Sequence, residues 1–90
     1  MKHQYRQSAL SRENSKIRVL AIKMMLDGGG VISTRTIMRR LELQYGMRTD
    51  RKTIMSDVRA IDRITPVEVI AGPKGGYRKL DVLGGGIDDV

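Results

Sequence analysis

Residues 45–63 constrain the fold more than any other segment, because they combine a helix end, a turn and a second helix with two unlike faces. Gly46 can adopt the left-handed conformation that ends a helix. Asp50 can accept hydrogen bonds from the free N–H groups of the turn that follows it, and its charge suits the helix dipole. The sequence therefore predicts a helix that begins near Arg51.

Helical periodicity divides this predicted helix into an apolar and a basic face. At about 100° per residue, Ile54, Val58 and Ile61 fall within one narrow arc. Asp57 lies at the edge of that arc, where we expect a structural hydrogen bond or ion pair. The opposite face is polar and basic and consists of Lys52, Ser56, Arg59 and Arg63.

The net charge favours a polyanionic partner. The chain has 90 residues, a formal charge of +7, and three of its ten acidic residues in the last ten positions. Residues 1–80 therefore carry 17 basic and 7 acidic groups, or +10, which is a strong field for a small domain. There is no cysteine, and the apolar runs are too short for a membrane-spanning helix or a secretion signal. We expect one soluble, cytoplasmic domain that does not bind membranes.

The N-terminal part of the chain predicts an arm followed by a helix. Residues 1–14 are polar and basic without clear periodicity, which indicates a flexible arm or an extra turn of helix. Asn14 or Ser15 can cap a helix that runs to about Asp27, before three glycines end it. The predicted buried stripe of this helix consists of Ile17, Leu20, Ala21, Met24 and Met25.

A short strand and a second helix are predicted next. Val31 and Ile32 are β-branched, and Ser33 can cap the helix that follows. The predicted buried edge of this second helix consists of Ile37, Leu41 and Tyr45. Three arginines, Arg35, Arg39 and Arg40, lie off that edge. They form either a solvated face or contacts to phosphate.

The C-terminal part predicts a β-hairpin and a tail. Thr65 and Pro66 end the helical pattern. Two β-prone runs, residues 67–71 and 77–80, flank a glycine-rich turn with Lys74 at its tip, and Arg78 lies on the return strand. Residues 82–90 are rich in glycine and acidic residues, which is typical of a tail or linker.

This order of elements predicts an α+β, mostly helical fold: a winged helix-turn-helix over residues 15–81, with three helices, a short strand and a C-terminal hairpin wing. In that architecture the third helix enters the major groove of double-stranded DNA, and the wing contacts the backbone or the minor groove. The expected DNA contacts are Lys52, Ser56, Arg59 and Arg63 on the helix and Lys74 and Arg78 on the wing.

The segment YGMRTDRKTIMSDVRAID resembles the recognition-helix region of the N-terminal winged-helix domain in bacterial DeoR-type regulators, especially those that carry a WYL sensor domain. The glycine-rich turn GPKGGYRKL is similar as well, and the resemblance covers roughly residues 15–81. It implies further DNA contacts at Arg51, Lys52 and Thr53, and a location at the bacterial nucleoid. The matching positions are Tyr45, Gly46, Asp50, Arg51, Lys52, Thr53, Ile54, Asp57, Val58 and Ile61.

The sequence departs from this family in two ways. Met55 and Ser56 stand where the family often has a Tyr-Arg pair. The family usually continues into a large sensor domain, so this chain is either a domain of a longer regulator or a small regulator of a phage or mobile element. A homodimer on a palindromic site is compatible with the sequence.

Other functions fit the sequence less well. A winged helix that binds an acidic protein is the alternative to DNA binding. Single-stranded RNA binding is disfavoured, since the chain has no Phe or Trp for base stacking. We expect no enzyme activity, no metal or cofactor and no small-molecule ligand, because the carboxylates are scattered and no nucleophile and base can be paired.

Overall fold

The computed structural model of this protein describes the backbone of residues 2–80 and the side chains of residues 12–80. Its three helices are followed by a two-stranded antiparallel hairpin, an α+β arrangement in the predicted order. The predicted tail, residues 82–90, lies outside the described residues, as does Asp81. In chain order the elements are α1 (Lys2–Asp27), α2 (Thr34–Tyr45), α3 (Arg51–Asp62), β1 (Val67–Ile70) and β2 (Gly76–Lys79).

Helix α1 is longer than the sequence pattern predicted. It begins at Lys2 and includes the residues that we expected to form an arm. Asn14 and Ser15 lie inside the helix, so the prediction that one of them is its N-cap was wrong. Residues 2–14 contain no glycine or proline and include several good helix formers, so nothing in them ends a helix.

The buried face of α1 is rotated relative to the predicted stripe. Ala21 is buried as predicted, but Leu20 is 61 % exposed and Met24 is 68 % exposed. Ile17 is exposed as well, and the core instead receives Ile22 and Leu26. Apolar residues occupy nearly every side of the last turns of α1, so periodicity alone offers two stripes of similar quality. Packing against the rest of the chain selects between them.

Helix α2 begins and ends as predicted. The Ser33 hydroxyl accepts a hydrogen bond from Thr36 N, and Gly46 ends the helix in the left-handed conformation with φ of 66°. Ile37 and Leu41 are fully buried. Tyr45 was predicted to be buried but is 43 % exposed. It is the last residue of α2, where the chain turns away before α3 and no neighbouring element covers it.

The short strand predicted at Val31 and Ile32 is not formed, and a single bridge at Ile32 joins the hairpin to the helices instead. Ile32 forms an isolated antiparallel bridge with Tyr77, with backbone hydrogen bonds of 2.9 and 2.8 Å. Gly76 makes this contact sterically feasible, since a Cβ at that position would lie 2.2 Å from Ile32 O. The Tyr77 ring is buried, and its hydroxyl accepts a hydrogen bond from Thr34 Oγ1. The hairpin is therefore anchored to the start of α2.

Helix α3 packs its predicted apolar face into the core and carries one buried carboxylate. Ile54, Val58 and Ile61 are buried, as predicted. Asp57 is also buried, and the Arg18 guanidinium donates to both of its oxygens, over 2.5 and 3.2 Å. The expectation of a structural ion pair at Asp57 is confirmed. The hydrogen bond to Asp57 raises the pKa of Arg18 above its usual value.

We expect Asp57→Ala to lower the free energy of unfolding by about 1–3 kcal/mol, because the half-buried guanidinium of Arg18 would lose its partner. Urea denaturation followed by circular dichroism measures this change. Glu42→Ala is the control, since its carboxylate lies 3.8 Å from Arg48 on the surface and its loss should cost less than about 0.5 kcal/mol. Equal urea midpoints for the two variants would contradict a structural role for the Arg18–Asp57 pair.

Candidate nucleic-acid interface

The exposed face of α3 carries the polar and basic residues that the sequence placed there. Lys52, Ser56, Arg59 and Arg63 are all exposed, on the side opposite the buried aliphatic residues. Arg63 is the C-cap of the helix, one position beyond Asp62. This face therefore presents three cations and a hydroxyl to solvent.

The start of α3 is organised by its cap. The Asp50 side chain accepts a 2.8 Å hydrogen bond from Thr53 N. This bond, and then the bond from the Thr53 hydroxyl, lowers the pKa of Asp50 below its usual value. The Thr53 N–H is thus committed to the cap. Arg51 is exposed beside it.

The two predicted wing cations differ in their surroundings. Lys74 is exposed in the hairpin turn and makes no ion pair with a described residue. Arg78 lies opposite Glu68 in the strand register, and its guanidinium pairs with the Glu68 carboxylate. A nucleic acid would therefore have to compete with Glu68 for Arg78, whereas Lys74 has no such competitor.

Asp27 pairs with two further lysines near the hairpin. Its Oδ2 accepts from Lys23 Nζ and its Oδ1 from Lys79 Nζ, each over 3.1 Å. These two hydrogen bonds, with the one from Lys23 the stronger influence, lower the pKa of Asp27. Lys79 and Lys23 thus stabilise the contact between β2 and the end of α1, and their charges are countered within the protein.

Most cations whose side chains the structure describes remain unpaired. Residues 12–80 contain fifteen Lys and Arg residues, of which five pair with carboxylates of described residues: Arg18, Lys23, Arg48, Arg78 and Lys79. The other ten make no ion pair with a described residue and lie on α1, α2, α3 and the hairpin turn. They are Arg12, Lys16, Arg35, Arg39, Arg40, Arg51, Lys52, Arg59, Arg63 and Lys74.

The starts of α2 and α3 and the hairpin enclose a hollow of about 340 Å³, which we call the Arg35–Arg51 hollow. Its rim includes Arg35 from the first turn of α2 and Arg51 from the first turn of α3. Val69, Gly72 and other hairpin residues form the opposite side. Two unpaired guanidinium groups at one opening provide fork-shaped donors of the kind that bind phosphate oxygens.

Arg35 was not among the predicted DNA contacts, although phosphate binding was left open for the arginines of α2. The bridge between Ile32 and Tyr77 holds the hairpin against the start of α2, so Arg35 and the hairpin line the same hollow. A bridge of one residue pair leaves little trace in the periodicity of a sequence. The structure brings Arg51 near the hairpin, whereas Lys52 and Arg59 lie farther along the exposed face of α3.

The described part of the chain contains no group of three His, Cys, Asp or Glu residues that could hold a metal ion. His3 is not among the residues whose side chains are described. No helix within residues 2–80 is both long enough and apolar enough to cross a membrane.

We expect the stability that Asp50 confers to depend on pH. Because the folded-state pKa of Asp50 is lowered, its carboxylate stabilises the fold above the unfolded-state value of about 3.9, and this stabilisation is lost as pH falls through the folded-state pKa. Asparagine caps a helix without titrating. The stability of the wild type relative to Asp50→Asn should therefore fall between about pH 5 and pH 2.

Urea denaturation of both proteins across that pH range measures this difference. The titration of Asp27 is common to the two proteins and cancels. A difference that stays constant with pH would show that the charge of Asp50 does not contribute to the cap.

Comparison with known proteins leaves the family resemblance a prediction: no protein-family model, no curated protein and no solved structure matches this chain.

Proposed function

We propose that this chain is a sequence-specific, double-stranded DNA-binding transcriptional regulator with a winged helix-turn-helix fold. It acts either as one domain of a longer regulator or as a small regulator of the kind carried by phages and mobile elements. The observation that supports this proposal best is the division of α3, whose aliphatic face is buried while its opposite face carries Lys52, Arg59 and Arg63 without ion pairs to described residues.

In this proposal α3 enters the major groove and reads base edges. Arg59 and Ser56 lie on the exposed face, and an arginine can donate two hydrogen bonds to O6 and N7 of guanine. Met55, which is 44 % exposed, lies between Arg51 and Arg59 at the spacing of one helical row. Its apolar surface suits the methyl group of thymine.

Phosphate contacts position α3 in the groove. Arg51 and Arg35, at the rim of their shared hollow, can approach one strand, and Lys74 at the hairpin tip can approach the backbone or the minor groove. Such contacts do not discriminate sequence, but they supply much of the affinity. For Arg78 to contact DNA from the wing, its guanidinium has to release the Glu68 carboxylate and bind a phosphate instead.

We expect duplex binding to depend strongly on salt. If about five phosphates are neutralised, the logarithm of the binding constant should fall with a slope of about −4.5 against the logarithm of salt concentration. Fluorescence anisotropy on labelled duplexes across a potassium chloride series measures this slope. Absence of salt-sensitive binding at low ionic strength would exclude the proposal. An acidic protein that stays bound after nuclease treatment would then support the alternative function.

We expect Arg59→Ala to weaken binding to the preferred duplex by about 1–3 kcal/mol, and by much less on a duplex of scrambled sequence. The reason is that a base contact is lost only where the correct base is present. Lys16→Ala is the matched control, because it removes one exposed, unpaired charge beside Leu20 on the outer face of α1. An equal loss on both duplexes would make Arg59 a phosphate contact and not a reader of sequence.

A further inference from the structure

A second hollow, of about 500 Å³, lies on the other side of the hairpin turn from the Arg35–Arg51 hollow. We call it the Arg40–Lys74 hollow. The turn separates the two, since Pro73 and Gly75 line both of them. The residues that matter for its chemistry are Gly28, Gly29, Thr36, Arg40, Pro73 and Lys74.

The two cations of this hollow come from elements that are far apart in the sequence. Arg40 lies on α2 and Lys74 in the hairpin turn, and both line the same cavity. Both side chains are exposed, and neither makes an ion pair with a described residue. Two like charges that share a cavity destabilise each other unless an anion lies between them.

No described carboxylate is placed to neutralise this pair. Asp27, one residue before the glycines of the hollow, already has one oxygen bonded to Lys23 and the other to Lys79. Glu68, on the hairpin, pairs with Arg78. The nearby acidic groups are thus occupied by other cations, and the hollow is left with a net positive charge.

The lining of the hollow suits a tetrahedral oxyanion. Glycines at 28 and 29 carry no side chains, so the wall on the α1 side leaves space for a ligand. Thr36 Oγ1 accepts a 2.9 Å hydrogen bond from Ser33 Oγ, which leaves its own hydrogen for a ligand oxygen. The lining thus includes a guanidinium fork, an ammonium group and a hydroxyl, all of which can donate to phosphate oxygens.

We infer that the Arg40–Lys74 hollow binds a phosphate group. Two sources share this chemistry: a backbone phosphate of bound DNA and free phosphate. A backbone phosphate as the source rests on the proposed function. It also extends that function, because bound DNA would then have a phosphate in each of the two hollows beside the hairpin turn. The second source is independent of DNA binding.

The test compares Arg40→Gln with Arg39→Gln. Both residues are exposed on α2 and make no ion pair with a described residue, but Arg39 lines neither hollow. Both variants remove one positive charge from the same helix. Neither substitution removes a described contact within the fold, and thermal unfolding verifies that each variant is folded.

The first measurement is the salt dependence of duplex binding. If the hollow holds a backbone phosphate, Arg40→Gln should reduce the steepness of the salt slope by about 0.9 on every duplex, whereas Arg39→Gln should leave it unchanged. An equal reduction in both variants would reflect overall charge and would exclude a backbone phosphate as the source.

The second measurement uses inorganic phosphate and no DNA. Titration of the full chain, followed by amide NMR shifts at constant ionic strength, should give saturable changes at Gly28, Gly29 and Thr36 that Arg40→Gln abolishes. This result without an effect on the salt slope would identify free phosphate as the source. If the salt slope shows no Arg40-specific change and phosphate produces no saturable shifts in the hollow, the inference is overturned. Because it needs no duplex, the titration tests the hollow even if the chain does not bind DNA.

Discussion

The ion pair between Arg18 and Asp57 is the contact on which the relative orientation of α1 and α3 depends. Asp57 is buried on α3, and a carboxylate in that position without a partner would destabilise the fold. The Arg18 guanidinium satisfies both of its oxygens. Because a bidentate pair of this kind tolerates only a narrow range of geometries, it favours packing of the Arg18 side of α1 against α3. Leu20 and Met24 on α1 remain exposed in that packing.

The same constraint determines which charges are available for binding. Once Asp57 and its aliphatic neighbours face the core, helical periodicity leaves Lys52 and Arg59 on the outside. Around the hairpin, carboxylates counter Arg78, Lys79 and Lys23, and these pairs join elements of the fold to one another. The cations that stay unpaired are concentrated on α2, α3 and the hairpin turn, with two more on α1. The fold thus separates charges that stabilise it from charges that can bind an anion.

Local sequence patterns predicted the structure correctly where a residue type has one usual structural role. Ser33 and Asp50 begin helices because their side-chain oxygens accept hydrogen bonds from free backbone N–H groups. Gly46 ends a helix because, without a Cβ, it readily adopts the left-handed conformation. The buried face of α3 was predictable because only one of its sides is aliphatic. The stripe of α1 was not, because its last turns offer two aliphatic stripes. Tyr45 was wrongly predicted to be buried, because periodicity does not show which positions along a helix a neighbouring element covers.

The sequence by itself therefore determined the order of the elements, the caps, the inward face of α3 and the net positive charge, since all of these depend on neighbours in the chain. Only the tertiary structure decided the rotation of α1, the partners of Arg78 and Lys79, and the two hollows beside the hairpin turn. These features depend on contacts such as Arg18 with Asp57 and Ile32 with Tyr77. The residues of each contact lie far apart in the sequence, and helix or strand periodicity does not record which of them meet.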